Sequence, residues 1–84
     1  MENTTEARNE RVTDWHPWRV WRSSEGARVF LSDDSLAWFI RRHRAKMLES
    51  GEYIPGKGAR PAIVGPGFGR VVLEILRQEA GMEK

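Results

Sequence analysis

The sequence predicts a small α+β domain, and three observations carry that reading. Two segments, 33–50 and 68–80, repeat their apolar residues at the 3.6-residue helical period. Between them, 53–54 and 62–64 read as two short strands bounded by glycine and proline. The chain has 84 residues, 39% of them hydrophobic, which suffices for one compact core and no second domain.

The elements follow in chain order. Residues 1–14 are polar, with Ala7 and Val12 the only apolar residues after Met1. They have little to bury and are expected to form a mobile tail, in which side-chain pairs alone would hold a short helix from Thr5 to Val12. Residues 15–81 are expected to form one compact domain. It opens with three tryptophans in seven residues, WHPWRVW. Trp18, Val20 and Arg22 alternate with Arg19 and Trp21 at strand spacing, and Pro17 restricts the run to a sheet edge. Ser23 to Gly26 is a turn signal, and Ala27 to Leu31 alternates again. These runs fit an N-terminal hairpin. Trp18 and Trp21 are read mainly as core residues, with a surface that stacks on bases or contacts the nucleic-acid backbone as the alternative.

The segment DDSLAWFIRRHRAKMLESG, 33–51, is the strongest helix signal. Ser32, Asp33 or Asp34 can cap its start, and Gly51 can end it in the left-handed conformation. Leu36, Phe39, Ile40, His43 and Met47 share one face, and Trp38, Arg41, Arg42 and Ala45 share the other. Arg44 and Lys46 flank the apolar side. After Gly51, Tyr53-Ile54 and Ala62-Ile63-Val64 form a hairpin whose tip carries Lys57 and Arg60. Pro55 and Pro61 remove ladder donors and keep it short. The closing helix, 68–80, buries Phe68, Val71, Val72, Ile75 and Leu76, with Leu73 widening that face. Met82 to Lys84 is expected to fray.

Several function classes drop out. No cysteine is present, which removes disulfides and thiolate metal sites. His16 and His43 are the only histidines, too few for a metal centre. No serine–histidine arrangement suggests a nucleophile, Asp33-Asp34 are explained by capping, and a domain this small leaves little room for a catalytic cleft. Gly56-Lys57-Gly58 lacks the rest of a phosphate-loop motif. The expectation is a protein that is not an enzyme and needs no cofactor. No apolar run approaches the roughly 20 residues of a membrane span, and the N-terminus lacks a signal-peptide pattern, so the expected location is the cytoplasm.

Charge points to a partner. The formal net charge is +2, but residues 1–14 hold four acids against two arginines, and the remainder holds twelve Lys/Arg against eight Asp/Glu. An acidic leader before a basic domain suits nucleic-acid binding. Arginine and lysine on one helix face and at a hairpin tip can neutralise phosphates, and Arg41 or Arg42 can fork onto a guanine edge.

The run S-L-x-W-F-I-R-R at 35–42, followed by G-x-Y-I-P-G-K-G-A-R at 51–60, a short strand and a closing helix, resembles the winged-helix DNA-binding module of phage excisionases and MerR-like regulators. The resemblance covers about residues 32–76. The chain is also similar to short proteins of bacterial mobile elements. The likeness implies a recognition helix in the major groove and a wing on the adjacent backbone or minor groove. By that likeness, Ser35, Trp38, Arg41 and Arg42 contact double-stranded DNA from the helix, and Lys57 and Arg60 from the wing. Two departures are visible: the family has a helix before the recognition helix, where this sequence reads as strands, and the basic helix is long enough to merge two roles. The implied function is that of an accessory, architectural or regulatory DNA-binding factor. The alternative is a protein–protein interaction module that docks a partner through exposed tryptophans.

Overall fold

Leu36, Phe39, Ile40 and Met47 all turn inward, as their spacing requires, and the rest of the chain is arranged around them. The computed structural model describes residues 11–81. Most of the expected tail, the helix considered from Thr5 to Val12 and the frayed end at 82–84 therefore lie outside the described residues. Within the tail, Val12–Asp14 forms one turn of 3₁₀ helix.

Four α-helices and a three-stranded antiparallel sheet follow among the described residues. Strand β1 is His16–Pro17, helix α1 Trp18–Ser23, helix α2 Asp33–Arg42 and helix α3 Arg44–Ser50. Strands β2, Tyr53–Ile54, and β3, Ile63–Val64, form the hairpin, and helix α4 spans Phe68–Glu79. The class is α+β. The sheet order is β1-β3-β2, with Val64 opposite both His16 and Tyr53. Pro17 sits on an edge strand, where its missing N–H breaks no inner ladder.

The expected N-terminal hairpin does not form. Residues 18–23 are helical, and the residues after them form turns rather than a second strand. The six residues WRVWRS fit either period, and tertiary contacts decide. As a helix the segment buries Trp21, whose ring meets Phe68 edge-on at 4.8 Å. It also lets the Trp18 N–H donate to the Ala62 carbonyl at 3.1 Å, tying the helix start to the hairpin. A strand would have set Trp18 and Trp21 on opposite faces. Here Trp21 is buried, Trp18 is half-buried against the core, and Val20 faces solvent.

A second correction concerns the basic helix, expected as one piece from 33 to 50. It divides at His43, whose φ of −115° and ψ of 29° leave the helical range. Hydrogen bonds still run through the break, from His43 N–H to the Phe39 carbonyl and from Met47 N–H to the His43 carbonyl, both 3.0 Å. The bend therefore redirects the axis without ending the apolar face. No proline or glycine lies there. The residue that carries it is instead packed on Phe39, 4.7 Å between ring centres, and held near Glu79 of α4.

The termini follow the sequence closely. The Ser32 hydroxyl accepts from the Ser35 N–H at 3.2 Å, the Ser35 hydroxyl accepts from the Ser32 N–H at 3.3 Å, and two acids stand in the first turn. Gly51 ends α3 at φ 77°, a conformation that a side chain would strain. Asp33 has a further task. Its carboxylate accepts from Arg22 Nε at 2.8 Å and lies 3.4 Å from Arg19, while another Arg22 nitrogen donates to the Phe30 carbonyl at 2.8 Å. Arg22 so fastens α1 to the start of α2. On α4, Phe68, Val72 and Ile75 are buried, Val71 and Leu76 pack against the core, and Leu73, expected to widen the buried face, is 46% exposed.

Candidate nucleic-acid interface

The helix pair α2–α3 has two flanks. Arg41 and Arg42 share the face turned from the core but point about 100° apart, and their neighbours set them on different flanks of it. Arg41, with Arg44, lines a groove of about 190 Å³ between the helices and the base of the hairpin. Ile40 and Tyr53, both buried, form its floor; Trp18, Ala37 and Ala62, half-buried, form its walls. Arg41 and Arg44 are exposed and form its rim, and no acid is among the residues that line it. Neither arginine joins an ion pair among the described residues.

Arg42 occupies the opposite flank. Its Nε lies 3.5 Å from Glu79 Oε2, and its guanidinium stands over the Trp38 ring at 5.2 Å from the centroid. Lys46 points the same way and donates to Gln78 Oε1 at 2.8 Å. His43 Nε2 also comes within 2.9 Å of Glu79 Oε2, although it lacks the alignment of a hydrogen bond. Glu79 therefore gathers Arg42 and His43 against the end of α4. This flank is partly neutralised, whereas the groove flank is not.

The hairpin tip is built for charge. Lys57 and Arg60 exchange two backbone hydrogen bonds, of 2.9 and 3.0 Å, and so stand directly opposite each other. Opposed residues of an antiparallel pair project to the same side, where like charges repel. Two exposed cations held in that register weaken the hairpin slightly and favour an anion above it. Gly56 makes the tight crossing possible. A Cβ there would come within 2.8 Å of the Arg60 carbonyl oxygen and 2.9 Å of the Ala62 nitrogen, both backbone atoms.

The six residues selected from the sequence thus divide. Arg41 lines the groove, and Lys57 and Arg60 share the hairpin tip. Trp38, 54% exposed, and Arg42 form a stack on the other flank. Ser35 is half-buried and its hydroxyl is taken by the α2 cap, where it also donates to the Ser32 carbonyl at 2.7 Å. Two residues gain a place that sequence reasoning did not give them. Arg44 sits beside Arg41 on the rim. Trp18 forms a groove wall and carries the Arg19 guanidinium 4.8 Å from its ring centroid. The i, i+3 spacing of Arg41 and Arg44 was a signal for the first of these. Nothing local signalled the second, because Trp18 reaches the groove only as part of a helix.

Among the described residues no group of three or more His, Cys, Asp or Glu side chains is placed to hold a metal ion, and no helix is long and apolar enough to cross a membrane. No protein-family model matches the chain, and neither a curated protein nor a solved structure matches it significantly.

Proposed function

We propose that this protein binds double-stranded DNA through the groove flank of α2–α3 and the tip of the hairpin. Its role is that of a small winged-helix-like accessory or regulatory factor without catalysis, as in the phage excisionases that the sequence resembles. One observation carries the reading. Arg41 and Arg44 border a groove without acids at the hairpin base, and the hairpin ends in a second pair of cations, Lys57 and Arg60. Four cations on a helix and a hairpin suit a groove edge and its adjacent backbone, and their phosphate contacts supply most of the affinity by releasing counterions. Helix α1, which precedes the basic helices, supports the family likeness where the sequence had read strands.

A titration of labelled duplex at about 50 and about 200 mM salt tests this. Four phosphate contacts give a log–log salt slope of about −3 to −4, or roughly a hundredfold loss of affinity over that range. Arg41→Ala/Arg44→Ala flattens the slope by about two. Absence of binding to any duplex at low salt, or equal binding by the double variant, overturns the reading.

A second reading rests on Trp38. It is more than half exposed, lies outside the groove and is braced by Arg42. Tryptophan is favoured at protein–protein hot spots. Under that reading a protein partner stays bound at high salt and is lost on Trp38→Ala.

A further inference from the structure

The groove beside Arg41 and Arg44 is more than a charged rim, because Trp18, Tyr53 and Ile40 line it along with the two arginines. The geometry points to a slot for one unpaired nucleotide of a DNA strand, with its base against the Trp18 indole and its phosphate on Arg41 and Arg44. This rests on the DNA-binding reading and goes further, because it distinguishes a locally unpaired duplex from an intact one.

Three features select that occupant. The first is shape. The slot holds about 190 Å³ over a floor of Ile40 and Tyr53, room for one flat ring rather than a base pair. A paired base is covered on both faces by its neighbours and must leave the stack before a side chain can take it. The second is chemistry. An indole stacks on any base, and Arg19 already stands over Trp18 at 4.8 Å. Where the indole lines the groove, a base against it extends the cation–aromatic contact that Arg19 already makes. The third is charge. Two guanidiniums stand at the mouth, and no acid lines the interior. An apolar side chain from a protein partner would fill the interior and leave both cations unanswered, whereas a nucleotide satisfies both parts. The slot offers no ordered set of donors and acceptors for a base edge, so the preference is for an unpaired base of any identity.

The test compares three labelled DNAs of one sequence: an intact duplex, a duplex with one bulged adenine, and a duplex with an abasic bulge. The last controls for flexibility without a base. Wild type is expected to bind the adenine bulge about tenfold more tightly than either other DNA, the scale of one base–aromatic stack. Ala37→Leu fills the slot from the helix side with another helix-favouring residue, and its melting curve verifies folding. In that variant the ratio of bulged to intact affinity is expected to fall to about one. If wild type binds all three equally with a steep salt dependence, the slot assignment fails and the DNA reading stands. If the ratio survives Ala37→Leu, the preference lies elsewhere and the assignment also fails. If no DNA binds at low salt, both fail. Displacement of bulged DNA by an equimolar free nucleoside monophosphate would assign the slot to a free nucleotide and overturn the strand-borne one.

Discussion

Arg42 Nε lies 3.5 Å from Glu79 Oε2, which joins an arginine of α2 to the last residue of α4. The pair is partly open to solvent, with side-chain exposures of 57% and 39%. An ion pair of that kind contributes about 0–1 kcal/mol to stability. Its larger effect is electrostatic: under the DNA-binding proposal, it withholds one cation from the interface.

Glu79→Gln releases Arg42 and leaves His43 without its carboxylate neighbour. The expected change in stability is under about 1 kcal/mol, read from urea denaturation. Duplex binding is expected to strengthen, with a salt slope steeper by up to about one if the freed arginine reaches a phosphate. Weaker binding at unchanged stability would mean that Glu79 positions Arg42 for contact rather than restraining it.

Gly56→Ala tests whether the crossing of the hairpin arms matters for binding. A Cβ at Gly56 meets backbone on the returning arm, so the arms must separate. Amide exchange at Lys57 and Arg60 is expected to quicken, because their two mutual hydrogen bonds lie beyond the crossing. Duplex affinity is expected to fall while the melting temperature moves little, since 56–61 are almost wholly exposed or carry no buried core residue. Unchanged exchange would show that the crossing relaxes without opening the tip.

Arg22→Ala removes the fastening between α1 and the start of α2. Arg22 is only 19% exposed at its side chain, and it serves both Asp33 and the Phe30 carbonyl. Hydrogen bonds to charged groups are worth about 1.5–3 kcal/mol, so a loss on that order is expected in urea denaturation. Arg22→Lys is expected to recover less than half of it, because an ammonium lacks the planar fork that reaches both acceptors. Full recovery by lysine would reduce the contact to simple charge.

Much of this architecture was readable from local patterns. Leu36, Phe39, Ile40 and Met47 announced their own burial by spacing, Ser32 and Gly51 marked the ends of the basic segment, and Pro55 and Pro61 flanked the hairpin loop. Failures arose where distant contacts decide. Residues 18–23 fit two periods, and the contacts of Trp21 with Phe68 and of Trp18 with Ala62, more than forty residues away, select the helix. His43, where the basic helix breaks, lies beside Glu79, thirty-six residues later. The site divided for the same reason. A helical wheel puts Arg41 and Arg42 on one outward face, and it cannot say which side of that face meets the hairpin and which meets an acid on α4. Arg41 and Arg42 were therefore grouped together, and the partner of Arg41, Arg44, was read only as a border of the apolar face.

Under the proposed function, DNA meets the flank bearing Arg41 and Arg44 together with the hairpin tip. Two-dimensional NMR of labelled protein, titrated with a short duplex at low salt, tests it most directly. Shifted signals are expected at Ala37, Ile40, Arg41, Arg44 and 57–62, including the Arg41 and Arg44 side-chain Nε resonances and the Trp18 indole. Little change is expected along α4 or at Trp38, and the shifts vanish as salt rises. Shifts centred on Trp38, Arg42 and α4, with 57–62 and the groove unmoved, would contradict it.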